Sequence, residues 1–324
     1  MLSQTIIAFA SVIATVSAWG MNGHMFAANI AQDILLENSP STMEKALTTL
    51  QVLCDFDDYF CTIQDEHPFV ESSVFADEYK YGPANWQGNM HFTDKPYFPD
   101  GESSDFNVKY DEFNITESTF ALIQWLSEAD DGEDYKNAYV YTYLIGMYDE
   151  NVAESYALRL LIHYCGDVHQ PLHAEDLYSE EYKSGDVGGN AFTIPSQMGD
   201  KNLHSVWDHM MFTQHVSIKR PIPADYWPTF VTDCSDILQR NIEVVSDPTT
   251  YENLSVAKWA NESYDIATTV YDGLTKGEYI PDWYVDTFLP VAEQRVVLAG
   301  YRLAYVMQYI YPATAEVKET MFLQ

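Results

Sequence analysis

Two histidine–aspartate pairs near the middle of the chain have the spacing of metal ligands on a helix. His163 precedes Asp167 by four residues, and His204 precedes Asp208 by the same interval. On an α-helix this interval puts both side chains on one face, with their Cβ atoms about 6 Å apart. Imidazole and carboxylate groups are common zinc ligands, so each pair supplies half of a tetrahedral zinc site.

A further histidine lies between these pairs. His173 follows Pro171, where a helix carrying the first pair should end and let the chain turn back. A single such pair is more often a solvated helix face than a metal site. Two pairs and an intervening histidine between residues 163 and 208 favour a zinc centre over chance.

The elements that carry these residues are predicted to be helices. Apolar residues recur at steps of three and four along most of the chain, whereas strand-like alternation is scarce. We therefore predict an all-α fold, a single mainly helical domain with long loops and a short β-hairpin. Helices are expected over residues 25–36, 41–53, 71–81, 116–129, 138–147, 152–169, 202–216, 251–274 and 283–311.

Two stretches rich in glycine and polar residues are predicted to be ordered loops. Residues 82–113 combine Gly, Pro, Asn and Asp with aromatic side chains. Within residues 174–200, the turn signal Gly188-Gly189-Asn190 precedes a brief strand candidate over residues 191–194. The expected hairpin belongs to this second stretch.

The first 18 residues read as a secretory signal peptide. An apolar run over residues 6–16 is too short to span a membrane, and Val16 and Ala18 are small residues that signal peptidase accepts. The segment before this run lacks Lys and Arg, which departs from the usual pattern. Cleavage after Ala18 leaves a chain that begins at Trp19. No later stretch resembles a transmembrane helix, and residues 19–324 are expected to form one catalytic domain because no linker or repeat divides them.

Composition and charge narrow the classes of function. A hydrophobic fraction of 47%, with 24 Tyr and 16 Phe, supplies a sizeable core and excludes a disordered chain. A formal net charge of −33 excludes a nucleic-acid binder that works through a basic surface. It does not exclude a nuclease, because bound metal ions can supply positive charge inside the cleft.

Four cysteines would oxidise in the secretory pathway, and they can pair in three ways. Cys54 and Cys61 are seven residues apart and form the natural local pair, which leaves Cys165 with Cys234. Free buried thiols stay an alternative for Cys165, because it lies inside the helix that carries the first histidine–aspartate pair.

Three triplets are acceptors for N-glycosylation if the chain enters that pathway, at Asn114, Asn253 and Asn261. The acidic composition suits an extracellular medium or an acidic lumen, where few carboxylates need protonating. We therefore expect a protein that is secreted or kept in the lumen of an acidic, lysosome-like vesicle.

In order and spacing these residues resemble the class I nucleases, the zinc-dependent single-strand-specific nuclease and 3′-nucleotidase family of fungi, plants and protists. The likeness covers nearly the whole mature chain, and it includes Phe75-Ala-Asp77 where the family usually has Trp-Ala-Asp. The other matching pieces are Trp19-Gly-x-x-Gly-His24, His91-Phe92, His163-x3-Asp167-x5-His173, Gly188-Gly189-Asn190 and Asn202-Leu203-His204-Ser205-x-Trp207-Asp208.

The resemblance implies three zinc ions held by nine protein ligands in a helical fold. One zinc would take Asp77, His91, His163 and Asp167. A second would take the amino nitrogen and carbonyl oxygen of Trp19, then His24 and the shared Asp167. The third would take His173, His204 and Asp208. Phe75, which stands where the family usually has Trp, lies close to the predicted ligand Asp77 in the sequence. The difference therefore concerns packing rather than metal binding.

The resemblance also implies a substrate site and a reaction. Phe92 matches the position that stacks on a base, Asp94 the carboxylate that binds the base edge, and Lys80 the basic residue that steadies the phosphate; Asn190 is expected near the cleft. Water activated between the two zinc ions that Asp167 bridges would attack phosphorus, and the third zinc would stabilise the leaving 3′ oxygen. Single-stranded DNA and RNA would then give 5′-phosphate products, and 3′-mononucleotides would lose their phosphate. We expect a monomer without a stable protein partner.

Two alternatives stay open. A zinc phospholipase C has a similar fold and an N-terminal Trp, but it usually has a longer gap to its first His and a Glu as its last ligand, where this chain has His24 and Asp208. An inactive, secreted zinc-binding protein would leave the match of Lys80 and of the base-site residues unexplained. Assays on a lecithin emulsion, single-stranded DNA and 3′-AMP separate these possibilities.

Overall fold

The computed structural model describes residues 19–313, apart from residues 63, 81, 111, 128–132, 197–198 and 211–217. The predicted signal peptide lies outside the described residues, as do the expected helix positions 81, 128–129 and 211–216. Along the part that is described, no helix is long and apolar enough to cross a membrane.

Helices dominate the described chain, which confirms the predicted all-α class. The α-helices are α1 (Met21–Asn38), α2 (Pro40–Phe56), α3 (Pro68–Glu71), α4 (Phe75–Tyr79), α5 (Ile115–Leu126), α6 (Tyr139–Met147), α7 (Glu150–Asp167), α8 (Leu203–Asp208), α9 (Trp227–Arg240), α10 (Val256–Ala267) and α11 (Asp282–Ile310). Short 3₁₀ helices cover Asp58–Cys61, Ser72–Val74, Gly82–His91, Glu133–Asn137, Pro171–His173, Ile242–Val245 and Pro248–Thr250.

Helix α7 forms the centre of the fold. It packs against α2, α5 and α11, and its residues 155–167 are all buried. Burial on every face explains why its apolar residues form no single stripe. Replacing a fully buried leucine such as Leu160 with alanine would cost about 2–5 kcal/mol of the free energy of unfolding.

Helix α1 lies along α11, and a glycine permits their close approach. A Cβ atom on Gly300 would lie 2.8 Å from the carbonyl oxygen of Ala27 and 2.8 Å from the Cβ of Ile30. Any side chain at residue 300 would therefore push the two helices apart. This contact fixes the N-terminal helix, which carries His24, against the longest helix of the fold.

Two clusters of buried hydrophobic residues build the core. The first surrounds α7 and includes Ile162, Tyr164 and Val168. The second includes Trp19 and Leu172, together with Leu203 and Trp207 of the segment that forms α8. Since these residues flank the predicted metal ligands in the sequence, the ligands lie where the two clusters meet.

The predicted hairpin is wrong. The observed strands are β1 (Lys95–Tyr97) and β2 (Glu175–Leu177), which pair in parallel with Lys95 opposite Glu175. Residues 191–194 contribute only one isolated antiparallel bridge, between Thr193 and Asn202. The chain before the turn has other partners, because the amide of Asp186 donates to the carbonyl of Leu177 and that of Val187 to the side chain of Asp176. Residues 191–194 instead meet the segment that follows them, where the amide of Ile194 donates to the carbonyl of Lys201.

Several helix boundaries differ from the prediction. Helix α9 was not predicted; Pro228 lies in its first turn, where proline is tolerated, although proline in a sequence usually indicates a helix end. Helix α8 ends at Asp208, α10 ends at Ala267, and the expected helix over residues 71–81 is divided among α3, a 3₁₀ turn and α4. Asn114, rather than a Ser or Thr, caps α5 by accepting a hydrogen bond from the amide of Glu117.

The cysteine prediction is half confirmed. Cys54 and Cys61 form a disulfide with a Cα–Cα distance of 5.5 Å. The pairing of Cys165 with Cys234 is wrong, because both are free and buried. Cys165 lies on α7 in the first hydrophobic cluster and Cys234 on α9 in the second, so the two thiols belong to different parts of the core.

Candidate metal centre

The last turn of α7 presents the first histidine–aspartate pair to a buried cleft. The Nε2 atom of His163 lies 3.0 Å from Oδ2 of Asp167, and neither side chain is exposed. The four-residue spacing puts both on one helix face, as expected from the sequence. Gly166 leaves room beside them, since a Cβ there would lie 2.5 Å from Nδ1 of His24.

Three other elements bring further residues to Asp167. Its Oδ2 lies 2.8 Å from Nδ1 of His91, at the end of a 3₁₀ helix, and its Oδ1 lies 3.2 Å from Nε2 of His24, on α1. Oδ1 of Asp77, on α4, lies 3.6 Å from both His91 and His163. Residues separated by up to 143 positions therefore meet around one carboxylate.

A second group forms where α8 begins. The capping box of α8, in which Asn202 accepts from the amide of Ser205, fixes the start of the helix. His204 and Asp208 then share a face, with 3.6 Å between Nε2 and Oδ2. The ring of His173 lies 5.1 Å from that of His204.

Three sets of side chains in the described chain have ligand atoms close enough to hold a metal ion. They are His24, Asp77 and His163; His91, His163 and Asp167; and His173, His204 and Asp208. The first two sets share His163, so they describe one larger cluster. The structure thus brings together the eight side chains among the predicted ligands.

Backbone carbonyls fix the direction of three histidine rings. Nδ1 of His163 donates to the carbonyl of Ser73 at 2.6 Å, that of His173 to His91 at 2.9 Å, and that of His204 to Gly188 at 2.6 Å. A proton on Nδ1 leaves Nε2 as the free ligand atom, which is the arrangement of a metal-binding histidine. Asp208 is oriented similarly, because its Oδ1 accepts from the Gln170 side chain at 2.9 Å.

Several ligand atoms are buried without a hydrogen-bond partner in the described chain. They are Nε2 of His24, His173 and His204, together with Oδ1 of Asp167. A buried polar atom without a partner is costly, and native proteins rarely leave one. Since these atoms converge on the same two groups, a bound metal ion would satisfy them, and the donor set fits zinc.

Burial and mutual charge shift the ionisation of these groups. Burial lowers the pKa of His204 to about 4. The pKa of His91 is also lowered to about 4, mainly by burial and to a smaller extent by the charge of Lys80. Burial opposes the charge of His163, yet Asp167 and Asp77 raise the pKa of its imidazole to about 10. Burial likewise disfavours the ionised carboxyl of Asp167, but His163 and His173 hold its pKa well below the usual range. The group around Asp167 therefore contains anionic carboxylate and mainly neutral imidazole, which suits a cation, whereas burial raises the pKa of Asp208.

The predicted substrate residues lie around these groups. Nζ of Lys80 lies 2.7 Å from Oδ1 of Asp77, and its side chain is buried. The ring of Phe92 is partly exposed and lies 4.6 Å from that of His173. Asp94 is partly exposed with a φ of 47°, a conformation in which Asp is enriched. Asn190 accepts from the Asn202 side chain at 3.4 Å, next to the start of α8.

Trp19 is buried at the edge of the centre. The amide of Gly20 donates to the carbonyl of Asp208 at 2.6 Å, and a Cβ on Gly23 would lie 2.9 Å from the Cβ of Trp19. The first residues of the predicted mature chain are therefore held close to a predicted ligand. Their role as backbone ligands stays a prediction.

Sequence reasoning missed the residues that orient the ligands. The carbonyls of Ser73 and Gly188 give no signal in side-chain chemistry, although the Gly-Gly pair marked an unusual backbone at the latter. The contact of the buried carboxylates Glu175 and Asp186 with the hydroxyl of Tyr271 was also missed. Tyr271 lies 96 and 85 residues away from them in the sequence. His169 is buried near these groups, but its ring bonds to the carbonyl of Cys165 and to the side chain of Arg302 and not to a ligand.

The chain is similar to known nucleases over most of its length. A family model described as S1/P1 Nuclease matches residues 19–312. The chain is 24% identical to Endonuclease 3 of Arabidopsis thaliana, over 95% of this chain and 94% of that protein. It is 25% identical to Nuclease P1 of Penicillium citrinum, over 88% and 95% of the two chains, and 25% identical to Nuclease S1 of Aspergillus oryzae, over 88% and 89%.

Proposed function

The chain belongs to the S1/P1 nuclease family, a metal-dependent family of hydrolases that act on nucleic acids, and from that premise we propose a zinc-dependent endonuclease that cleaves single-stranded DNA and RNA. Its products would carry 5′ phosphates, and 3′-mononucleotides would be dephosphorylated as well. We further propose three zinc ions per chain. The observation that carries the proposal is the convergence of unpartnered buried ligand atoms on two adjacent groups of His and Asp side chains.

Each proposed zinc ion would be bound by its own set of residues. Asp167 would join two zinc ions, because its two oxygens face different partners: Oδ2 faces His91 and His163, and Oδ1 faces His24. His173, His204 and Asp208 would hold the third. When bound, zinc supplies Lewis-acid activation of water and charge stabilisation at the reacting phosphate.

Lys80 is suited to stabilise the charge that develops on phosphate in the transition state. Its ammonium group is buried beside Asp77, so water screens it little. In a chain of net charge −33, this buried cation lies where an anionic substrate would have to bind. The neighbouring carboxylate of Asp77 holds the lysine in place.

Phe92 provides the rationale for single-strand specificity. Its ring packs on that of His173 and is partly exposed, which leaves a surface for a base beside the group of His173, His204 and Asp208. Bases in a duplex are already stacked and paired, whereas those of a single strand can turn onto an aromatic ring. Each such stack contributes about 1–3 kcal/mol. Asp94, two residues further along, is the candidate for binding the base edge.

We extend the proposal to the compartment, where the protein would be secreted or enter an acidic vesicle after cleavage before Trp19. The disulfide between Cys54 and Cys61 supports an oxidising compartment. The sequon asparagine Asn261 is exposed on α10, and Asn114 and Asn253 are partly exposed. N-glycans at these positions are part of the proposal.

The test is an assay of the purified chain that starts at Trp19, with single-stranded DNA, a duplex of the same sequence, 3′-AMP and a lecithin emulsion. We expect single-stranded DNA and 3′-AMP to be hydrolysed, the duplex to be cleaved much more slowly and lecithin to be left intact. A chelator should abolish the activity and added zinc should restore it. Hydrolysis of lecithin alone, or no turnover by zinc-loaded protein, would contradict the proposal.

A further inference from the structure

A left-handed stretch of backbone lies next to His204, one of the three predicted ligands of the third zinc. Val187, Gly188 and Gly189 have φ angles of 59°, 55° and 79°. Glycine adopts this conformation freely, but a β-branched residue such as Val187 does so only at a cost of about 1–3 kcal/mol. The surrounding contacts must therefore hold the stretch in place.

This stretch orients His204. The carbonyl of Gly188 accepts from Nδ1 of His204 at 2.6 Å, and the carbonyl of Gly189 accepts from its backbone amide at 3.4 Å. A Cβ on Gly188 would lie 2.3 Å from the carbonyl oxygen of Leu172, so the stretch is closely packed from below. A displacement of residues 187–189 would consequently rotate or release the imidazole ring.

Two buried carboxylates fix the stretch by accepting its amide protons. Oδ1 of Asp176 accepts from Val187 at 2.8 Å, and Oδ2 of Asp186 accepts from Gly189 at 3.0 Å. Oδ1 of Asp186 also accepts from the amide of Leu177 on β2 at 3.0 Å. Asp186 thus joins the stretch to β2.

Tyr271 completes this arrangement from the segment that follows α10. Its hydroxyl lies 2.8 Å from Oδ2 of Asp186 and 2.5 Å from Oε1 of Glu175. Glu175 is fully buried on β2, two residues after His173. One hydroxyl group therefore connects the strand that follows His173 to the stretch that orients His204.

We propose that Tyr271 is a positioning residue for the third zinc, acting through Asp186 and Glu175 to set the relative position of His204 and His173. The inference rests on the proposed function only in requiring that His173, His204 and Asp208 bind zinc. Loss of the hydroxyl allows the left-handed stretch to relax, and the affinity of these three ligands for zinc falls selectively. The zinc ions at Asp167 keep their affinity, because none of their ligands depends on residues 187–189.

The test compares Tyr271→Phe with a matched control, Tyr264→Phe. Both changes remove one partly buried hydroxyl group, but the hydroxyl of Tyr264 donates to the carbonyl of Pro96 and does not contact Asp186 or Glu175. In Tyr271→Phe the ring stays in contact with Phe192, whose centroid is 5.5 Å away. The folded core should therefore survive in both variants, which thermal unfolding in excess zinc checks.

The readout is zinc release to a competing chelator, together with turnover. We expect Tyr271→Phe to release one zinc per chain at a roughly tenfold lower chelator concentration than the parent chain. Its turnover should fall and should recover when zinc is added, while Tyr264→Phe behaves like the parent. Parent-like zinc release by Tyr271→Phe, or a loss of turnover that zinc does not restore, would overturn the inference. A parent chain without nuclease activity would instead count against the proposed function.

Discussion

The amide of Gly20 donates a 2.6 Å hydrogen bond to the carbonyl oxygen of Asp208. The start of the predicted mature chain is thereby attached to the end of α8, the helix that carries His204. Trp19 itself is buried, and the absence of a side chain on Gly23 makes room for it. Residues 19 and 20 are consequently held next to the candidate metal centre.

We predict that an extension of even one residue before Trp19 impairs the enzyme without unfolding it. A peptide nitrogen is a poor ligand because its lone pair is delocalised, whereas a free α-amine with a pKa near ~7.7–8.0 can lose its proton to zinc. Zinc content and turnover should both fall in a chain that retains Ala18. The measurement compares both quantities in the extended and Trp19-start proteins.

A removable extension serves as the control for that experiment. Proteolytic trimming of the same purified sample back to Trp19 should restore zinc binding and turnover. Equal activity before and after trimming would show that the amino terminus is not a ligand.

We predict that Asp167→Asn keeps the fold but loses zinc and nearly all turnover. An amide preserves the shape of the side chain, yet it removes the negative charge that faces His24, His91 and His163. Loss of a directly bound metal ligand should lower kcat by about two orders of magnitude or more. Asp236→Asn, at an exposed position of α9, is the matched control. Near-parental turnover by Asp167→Asn would refute the bridging role.

We predict that Phe92→Ala raises KM for oligonucleotides roughly tenfold, because one base stack contributes about 1–3 kcal/mol. A phosphodiester without a base has no stack to lose, so its KM should change little. Steady-state kinetics on the two substrates measure the difference. Equal effects on both would indicate that Phe92 supports the centre structurally and does not bind a base.

We predict different titrations for two histidines of the metal-free protein. Burial lowers the pKa of His204 to about 4, so its imidazole is neutral above that pH and can bind zinc without displacing a proton. The pKa of His163 is raised to about 10 because Asp167 and Asp77 outweigh burial, so zinc must displace a proton there. NMR titration of the imidazole protons checks both values. Titration of His204 near 6.5 would contradict the burial argument.

We predict two free thiols per chain in the unfolded, unreduced protein. Cys165 and Cys234 are buried in different hydrophobic clusters, whereas Cys54 and Cys61 are joined. Thiol titration in denaturant, with and without a reductant, should give two and then four thiols. If no thiol reacts before reduction, Cys165 and Cys234 are paired and the prediction is wrong.

The sequence predicted the helical class and the side chains that meet in the candidate centre, because both leave periodic or chemically distinctive signals. The four-residue spacing of His163 and Asp167 requires only that one helix carry both, and α7 does. The hairpin prediction failed because the chain before the turn has distant partners: the amides of Asp186 and Val187 donate to Leu177 and Asp176, and no local pattern predicts those contacts. The parallel pairing of β1 with β2 joins segments about 80 residues apart, and no local pattern encodes such a contact.

The contacts that orient the ligands were beyond sequence reasoning for a different reason. Backbone carbonyls such as those of Ser73 and Gly188 are present at every residue, so only the folded chain reveals which of them face an imidazole. The same holds for Tyr271, whose role depends on two carboxylates that meet it from distant parts of the chain. Local signals therefore predicted the ligands, while tertiary contacts decide how they are held.

The most direct test of the account is the zinc content of the purified Trp19-start protein, measured together with its nuclease activity during removal and return of the metal. We predict three zinc ions per chain, loss of activity as zinc is removed and recovery as it is restored. A chain that binds no zinc, or that cleaves single-stranded DNA at an unchanged rate after its metal is gone, would contradict it.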